Sequence, residues 1–239
     1  MCVLVDFQAL ALDKSMRQKS KKYVCTFQTV RTLLFSTFLL MHREVGIIMT
    51  ISTLIYIHGQ YGSPEEAEHY RALLPGCEVI GFDYRAQTPW EAEREFAEYF
   101  DGLAERGCGS IGIIANSIGA FYAMCALAGR NIAAAYFISP IVDLERIEGV
   151  TLNEEHLRYV RQHPIDWRVP THILYGENDN LTSLATISDF APRTGASLEV
   201  MPGGEHWFHT PEQMAFLDGW IQRTSLAASY LNRSSRETE

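Results

Sequence analysis

Residues 111–119 read Ile-Gly-Ile-Ile-Ala-Asn-Ser-Ile-Gly and join an apolar run to a segment of small residues. The run at 111–115 carries no charge and is rich in isoleucine, which predicts a strand buried on both faces of a parallel sheet. The segment from Ile118 to about residue 128 predicts a helix. A serine between them must adopt strained backbone angles, and only small residues two positions away avoid a collision. Ala115 and Gly119 meet that requirement, so Ser117 is predicted to lie above the carboxyl end of a strand.

The rest of the chain from Met49 onward alternates strand and helix patterns in the same way. Further strands are predicted at residues 53–57, 78–84, 133–138, 171–175 and 197–201. Further helices are predicted at residues 64–74, 89–106, 183–190 and 211–223. Such alternation is typical of a mostly parallel sheet, here of about six strands, with helices on both faces. The predicted fold class is therefore α/β, arranged as a three-layer sandwich.

One segment interrupts the alternation, between Pro140 and Pro170. It holds a single helix-like stretch at residues 153–162. Insertions of this length within a compact domain are usually binding loops or covers over a site. We therefore predict a short lid at about residues 141–169.

Length and composition limit the number of domains and the kinds of partner. A chain of 239 residues and 27.0 kDa suits one α/β domain. The formal net charge of -9 argues against a nucleic-acid partner, because neutralising phosphates requires clustered Lys and Arg. The five cysteines are scattered and form no Cys-x-x-Cys pair, which favours neither a zinc site nor a disulfide framework. A reducing, cytoplasmic location is expected.

The first 48 residues differ in character from the remainder. They contain seven Lys or Arg and three Asp or Glu, whereas the residues from Met49 onward contain 13 and 26. Their apolar run at 33–41 is too short for a membrane span, which takes about 20 apolar residues. It suits a cleaved signal better, but no small-x-small cleavage site follows it. We expect a poorly defined extension at 1–48, a domain at 49–227 and a polar tail at 228–239.

A serine hydroxyl is a poor nucleophile near neutral pH, so Ser117 needs a base and a group that orients the base. Asp179 follows the predicted strand 171–175, and His206 follows the predicted strand 197–201. Because the carboxyl ends of parallel strands share one edge of a sheet, both side chains are expected beside Ser117. The candidate catalytic residues are Ser117, Asp179 and His206.

Other residues compete for these roles. Glu177 and Asp143 are alternative acids, and Asp179 itself lies in a polar cluster that suits a turn. His209 is the alternative base, although it adjoins a predicted helix start and suits a structural role better. The plainer interpretation of Ser117 is an ordinary helix N-cap.

The sequence His-Gly-Gln-Tyr-Gly at residues 58–62 follows the first predicted strand. The glycines of this 58–62 loop let its backbone approach the Ser117 turn. The N–H groups of Gln60 and Ile118 are then expected to form an oxyanion hole, and His58 is expected to order the loop. Three aromatic residues flank the candidate site in sequence and are expected to line an apolar substrate pocket: Tyr61, Phe121 and Trp207.

These features resemble the α/β-hydrolase family from residue 53 to about residue 223. They comprise a His-Gly strand end, the nucleophile elbow at residues 115–119, the order Ser, Asp, His, and a short lid. The resemblance implies an α/β-hydrolase fold and an esterase-like or thioesterase-like serine hydrolase acting on a small-molecule acyl substrate. It implies no cofactor and no metal. Larger members carry two further strands before the His-Gly strand, and residues 23–30 are a candidate for one of them.

Several alternatives bear on this interpretation. The pattern Gly-x-Gly-x-x-Gly at residues 107–112 precedes its strand, whereas a dinucleotide site needs the glycines after a strand. The same three residues also suit amide, C–C or lactone hydrolysis, or acyl transfer to an alcohol, because a fold does not choose its reaction. A non-catalytic binding protein with this fold is the other alternative. The oligomeric state is not predicted.

Overall fold

The structure is a computed structural model that describes residues 51–230, with side chains up to residue 225. The expected extension at 1–48, the candidate strand at 23–30 and most of the expected tail at 228–239 lie outside this range. Within it, no helix is both long enough and apolar enough to cross a membrane.

Six parallel strands form one sheet in the order β2-β1-β3-β4-β5-β6. Their bounds are β1 Thr53–Ile57, β2 Glu78–Gly81, β3 Ile111–Asn116, β4 Ala134–Ile138, β5 Thr171–Gly176 and β6 Ser197–Met201. The predicted six-stranded parallel sheet is confirmed. Because β3 lies between β1 and β4, the loops after these strands meet at one edge of the sheet.

Helices cover both faces of the sheet. Their bounds are α1 Ala67–Leu73, α2 Pro89–Glu105, α3 Ile118–Leu127, α4 Glu154–Gln162, α5 Leu184–Thr194 and α6 Pro211–Tyr230. Buried side chains of α2, α3 and α5 pack in one core with Ile113 and Ala115 of β3. Buried side chains of α1 and α6 pack in a second core with Ile114. Successive strand residues point to opposite faces, so β3 contributes to both cores and the three-layer arrangement is confirmed.

Three predicted elements end three or more residues away from their predicted carboxyl ends. Strand β2 ends at Gly81 rather than at residue 84, because its partner β1 ends at Ile57 and enters the 58–62 loop. Helix α5 continues to Thr194, with Pro192 in its last turns, and ends at the left-handed Gly195. Helix α6 continues beyond the expected residue 223 to Tyr230.

The segment between β4 and β5 contains a 3-10 turn at Leu144–Arg146 and helix α4. Helix α4 packs against α2, where the ring centroid of Trp90 lies 4.9 Å from His156 and 5.5 Å from Tyr159. Near the end of the segment, the indole N–H of the buried Trp167 donates to Thr171 Oγ1 at 2.7 Å. The predicted lid is therefore anchored to the domain at its helix and at its carboxyl end.

Helix α2 begins with a capping box that should contribute measurably to stability. The N–H of Glu91 donates to Thr88 Oγ1 at 3.4 Å, and the N–H of Thr88 donates to the Glu91 carboxylate at 3.1 Å. Loss of such a cap typically costs about 1 kcal/mol. We expect Thr88→Ala to lower the free energy of unfolding by about 1 kcal/mol in urea denaturation. Thr88→Ser keeps the hydroxyl and should remain near wild type; equal losses in the two variants would contradict the capping role.

Candidate active site

Ser117 lies in a strained turn between β3 and α3. Its backbone angles are φ 51 and ψ -121, a conformation that residues other than glycine seldom adopt. Neighbouring backbone holds the turn, because the N–H of Ser117 donates to Ile138 O at 3.0 Å and the N–H of Ile141 donates to Ser117 O at 3.1 Å. The end of β4 and the residues after it thus bind both backbone polar groups of the strained residue.

The elbow also touches the end of β1. A Cβ atom added to Gly119 would lie 2.3 Å from the carbonyl oxygen of His58, closer than any real contact. A Cβ atom added to Gly59 would lie 3.1 Å from the Cβ atom of Ser117. Gly119 therefore permits α3 to begin directly beside the 58–62 loop, which places the loop next to the nucleophile candidate.

His206 joins Ser117 to Asp179. Its Nε2 atom lies 2.9 Å from Ser117 Oγ, and its Nδ1 atom lies 2.7 Å from Asp179 Oδ2. The Asp179 side chain is fully buried, whereas 15% of the His206 side chain is exposed. The structure therefore brings the three predicted residues into one hydrogen-bonded chain, with the carboxylate shielded from solvent.

The loop after β5 fixes the second oxygen of the Asp179 carboxylate. The N–H groups of Leu181 and Thr182 donate to Asp179 Oδ1 at 2.8 and 3.0 Å. Below this loop, burial and then the charge of Asp179 raise the pKa of Tyr175 to about 12. Its hydroxyl stays protonated near neutral pH and donates to Thr182 O at 2.7 Å. Both carboxylate oxygens thus have partners, which orients Oδ2 toward His206.

The alternative acids and base are engaged elsewhere. Glu177 accepts a hydrogen bond from the N–H of Gly203 at 2.9 Å, and Asp143 accepts one from the N–H of Glu145 at 3.0 Å. His209 stacks on Trp207, with 4.8 Å between ring centroids. None of them bonds to Ser117 or to the catalytic histidine candidate among the described hydrogen bonds.

The 58–62 loop is ordered by contacts with Tyr84 and by a hydrogen bond within the loop. His58 stacks on Tyr84 at 4.3 Å between ring centroids, and the Tyr84 hydroxyl donates to His58 O at 2.8 Å. Within the loop, the N–H of Gly62 donates to Gly59 O at 3.1 Å. Sequence reasoning missed Tyr84, because it placed this residue in a strand and the stacking partner lies far away in sequence.

Of the three aromatic residues expected to line one pocket, Phe121 lines a cavity that Tyr61 and Trp207 do not border. Phe121 is buried and lines a cavity of about 320 Å³ with residues of the lid and of α5, but Ser117, Asp179 and His206 do not border that cavity. Tyr61 is 98% exposed and Trp207 is 71% exposed. The expectation of a single pocket needs correction, because Phe121 lies one helical turn below Ser117 while the other two lie on surface loops.

Comparison with known proteins identifies the architecture. Neither a protein-family model nor a curated protein sequence matches the chain. Among solved structures, Est1E from Butyrivibrio proteoclasticus is 18% identical with a TM-score of 0.62, over 76% of this chain and 90% of that chain. A soluble variant of monoglyceride lipase from Saccharomyces cerevisiae is 12% identical with a TM-score of 0.57, over 75% and 87%. An alpha-beta serine hydrolase homologue from Coxiella burnetii is 15% identical with a TM-score of 0.54, over 75% and 86%. The chain has the α/β-hydrolase fold.

In the α/β-hydrolase fold the nucleophile, acid and base follow separate strands in the order found here. Ser117 follows β3, Asp179 follows β5 and His206 follows β6. No group of three or more His, Cys, Asp or Glu in residues 51–225 is arranged to hold a metal ion.

The contact between Gly119 and β1 predicts a steric effect. Gly119→Ala would force the elbow away from His58, and overpacking of this kind typically costs about 1–3 kcal/mol. We expect the free energy of unfolding, measured by urea denaturation, to fall by that amount. A methyl group at Gly76 meets nothing within 4 Å, so Gly76→Ala should change stability by less than about 0.5 kcal/mol. Equal effects of the two substitutions would refute the close contact.

The hydrogen bond between Asp179 and His206 predicts a matched pair of carboxylate variants. Asp179→Asn keeps the size of the side chain but favours the wrong tautomer of His206, which should lower kcat by about 10³–10⁴. Glu177→Gln alters a carboxylate in the same loop that accepts from the N–H of Gly203 and, among the described hydrogen bonds, does not bond to His206; it should leave kcat near wild type. The kcat of both variants is measured by steady-state kinetics with an ester that the protein hydrolyses. Comparable losses would contradict the assignment of Asp179 as the acid.

Proposed function

We propose that the protein is a serine hydrolase that cleaves an ester or thioester of a small molecule through an acyl-enzyme. The observation that supports this most strongly is the hydrogen-bonded chain from Ser117 through His206 to the buried carboxylate of Asp179. A serine, a histidine and a buried carboxylate in this order supply a nucleophile, a general base and a group that orients the base.

In the first half of the proposed reaction, Ser117 Oγ attacks the substrate carbonyl and His206 Nε2 accepts its proton. The carboxylate of Asp179 holds the Nδ1 proton and stabilises the imidazolium ion that forms. Collapse of the tetrahedral intermediate breaks the bond to the leaving group, which takes the proton from His206. In the second half, His206 activates water, and the acid is released as Ser117 recovers its proton.

The tetrahedral intermediate carries negative charge on the former carbonyl oxygen. We propose that the N–H groups of Gln60 and Ile118 donate to that oxygen. Ile118 is the first residue of α3, so its N–H has no partner within the helix and lies at the positive end of the helix dipole. Each donor of this kind contributes about 10²–10³ to the rate in hydrolases where it has been removed.

The choice of an ester or thioester rests on fold-level similarity as well as on the site. One similar structure is named a monoglyceride lipase and another a serine hydrolase homologue. Tyr61 and Trp207 directly follow Gln60 and His206 in sequence and are exposed, so we propose that their rings offer apolar surface to the substrate. The cytoplasmic location and the cofactor-free reaction belong to this proposal.

A fluorophosphonate probe tests the nucleophile directly, because it forms a covalent bond with an activated serine. We expect the native protein to be labelled and Ser117→Ala to be unlabelled, with no turnover of activated esters. Ser52→Ala removes an exposed serine outside the site and should be labelled as efficiently as wild type. Absence of labelling in the folded native protein would refute the enzyme assignment and favour a binding protein; turnover of an amide or lactone in place of esters would favour the other reactions of the triad.

A further inference from the structure

The buried Tyr56 links two parts of the candidate active site. It lies on β1, directly before the 58–62 loop, and its side chain is 1% exposed. Its hydroxyl donates a hydrogen bond to the carboxylate of Glu66, in the short 3-10 turn before α1. This contact joins the strand that leads into the loop to the turn that follows the loop.

The Glu66 carboxylate lies against the loop itself. A Cβ atom added to Gly62 would lie 3.0 and 3.3 Å from the two carboxylate oxygens of Glu66, and 3.0 Å from the Cβ atom of His58. The carboxylate and His58 therefore pack tightly around Gly62. Because Gly62 closes the turn by donating to Gly59 O, a displacement of Glu66 would change the position of the turn that contains Gln60.

Tyr56 also approaches the elbow. Tyr56 pairs with Ile114 in the sheet, so Asn116, two residues further along β3, lies on the same face. Burial, the neighbouring Tyr70 and Glu66 raise the pKa of Tyr56 well above its ordinary value, whereas the side chain of Asn116 lowers it. The hydroxyl stays protonated near neutral pH and remains a donor to Glu66. Asn116 directly precedes Ser117, so the contacts of Tyr56 reach both the loop and the elbow.

We propose that Tyr56 and Glu66 are positioning residues that hold the 58–62 loop in register with the elbow, so that the N–H of Gln60 meets the oxyanion. This inference rests on the proposed hydrolase function. It assigns a role to two side chains that do not touch the reacting atoms. Glu66 packs against Gly62, and Tyr56 reaches Asn116, which precedes Ser117.

A second tyrosine holds the loop from the opposite face of the sheet. Tyr84 packs in the core formed with α2 and α3 and bonds to His58 O, whereas Tyr56 packs in the core formed with α1 and α6. The loop is therefore constrained from both faces: the Tyr84 hydroxyl bonds to it at His58 O, and the Tyr56 hydroxyl acts on it through Glu66. If either hydroxyl group is removed, the loop keeps its contact on the other face of the sheet. We therefore expect the loop to shift while the protein stays folded.

The expected effect is on the transition state. Small misplacements of a catalytic group lower the rate of the chemical step strongly, whereas binding of the neutral substrate depends little on the oxyanion donors. We expect Tyr56→Phe and Glu66→Ala each to lower kcat for an activated ester about tenfold, with KM changed by less than about twofold. A boronic acid that mimics the tetrahedral intermediate should bind about tenfold more weakly to both variants.

Three further variants separate positioning from general packing. Glu66→Gln keeps an oxygen that accepts from Tyr56, and should restore most of the activity lost in Glu66→Ala. The double variant Tyr56→Phe/Glu66→Ala should lose no more kcat than the less active of the two single variants, because both substitutions remove the same bond. Tyr136→Phe is the matched control: Tyr136 is buried in the same core, and its hydroxyl has no hydrogen-bond partner among the described residues.

Hydrogen exchange of the peptide that covers residues 58–66 provides a readout independent of turnover. Exchange there should accelerate in Tyr56→Phe and Glu66→Ala, and remain at the wild-type rate in Tyr136→Phe. The positioning role is refuted if the wild type is active and Tyr56→Phe matches Tyr136→Phe in kcat, inhibitor affinity and exchange. A wild type that turns over no ester would instead refute the proposed function, and the exchange data would still decide whether this pair holds the loop.

Discussion

The close approach of the Ser117 turn to the end of β1 is the constraint on which the rest of the site depends. A non-glycine residue at φ 51 costs about 1–3 kcal/mol and persists only where surrounding contacts fix it. Here β4 binds the N–H of Ser117, the residues after β4 bind its carbonyl, and Gly119 lets α3 begin against His58 O. Any side chain at residue 119 would separate β1 from α3 and move the 58–62 loop away from the nucleophile candidate.

The parallel sheet extends this constraint to the other two residues. Strands β3, β5 and β6 all end at the same edge, so short loops are sufficient to bring Asp179 and His206 to Ser117. The loop after β5 is rigid for an independent reason, since Asp179 accepts two backbone N–H bonds within it. A sheet edge of this kind orients a nucleophile, a base and an acid with few residues, and leaves the surrounding loops free to determine the substrate.

The segment between β4 and β5, the predicted lid, is coupled to Asp179 through the backbone. Ile147 pairs with Thr182, and the N–H of Glu148 donates to Leu181 O at 2.8 Å. The N–H groups of Leu181 and Thr182 bind Asp179 Oδ1. This short segment therefore contacts the predicted lid through the Leu181 carbonyl and Asp179 through its N–H groups. The cavity that residues of this segment line lies beside the elbow, since Val142 lines it and Ile141 bonds to Ser117 O.

The local pattern of residues was enough to predict the elements and their order. Strands β1 and β6 begin and end at the predicted residues, and the shared edge of parallel strands predicted that Asp179 and His206 lie beside Ser117. Hydrophobic periodicity and turn residues act between neighbours in the chain, which is why a sequence reveals them. The sequence did not distinguish Asp179 from Glu177 as decisively, because both residues follow β5. The fold of the loop directs the Asp179 carboxylate, and not that of Glu177, to His206.

Only the tertiary structure decided the contacts between residues distant in sequence. The stacking of His58 on Tyr84, the bond from Tyr56 to Glu66 and the separation of Phe121 from Tyr61 and Trp207 depend on strand register and on the faces that side chains occupy. A one-residue change of register would move every such side chain to the other face of the sheet without altering the pattern along the chain. The sequence by itself determined an α/β chain with Ser, Asp and His after three strands; packing determined which groups surround them and hold them in place.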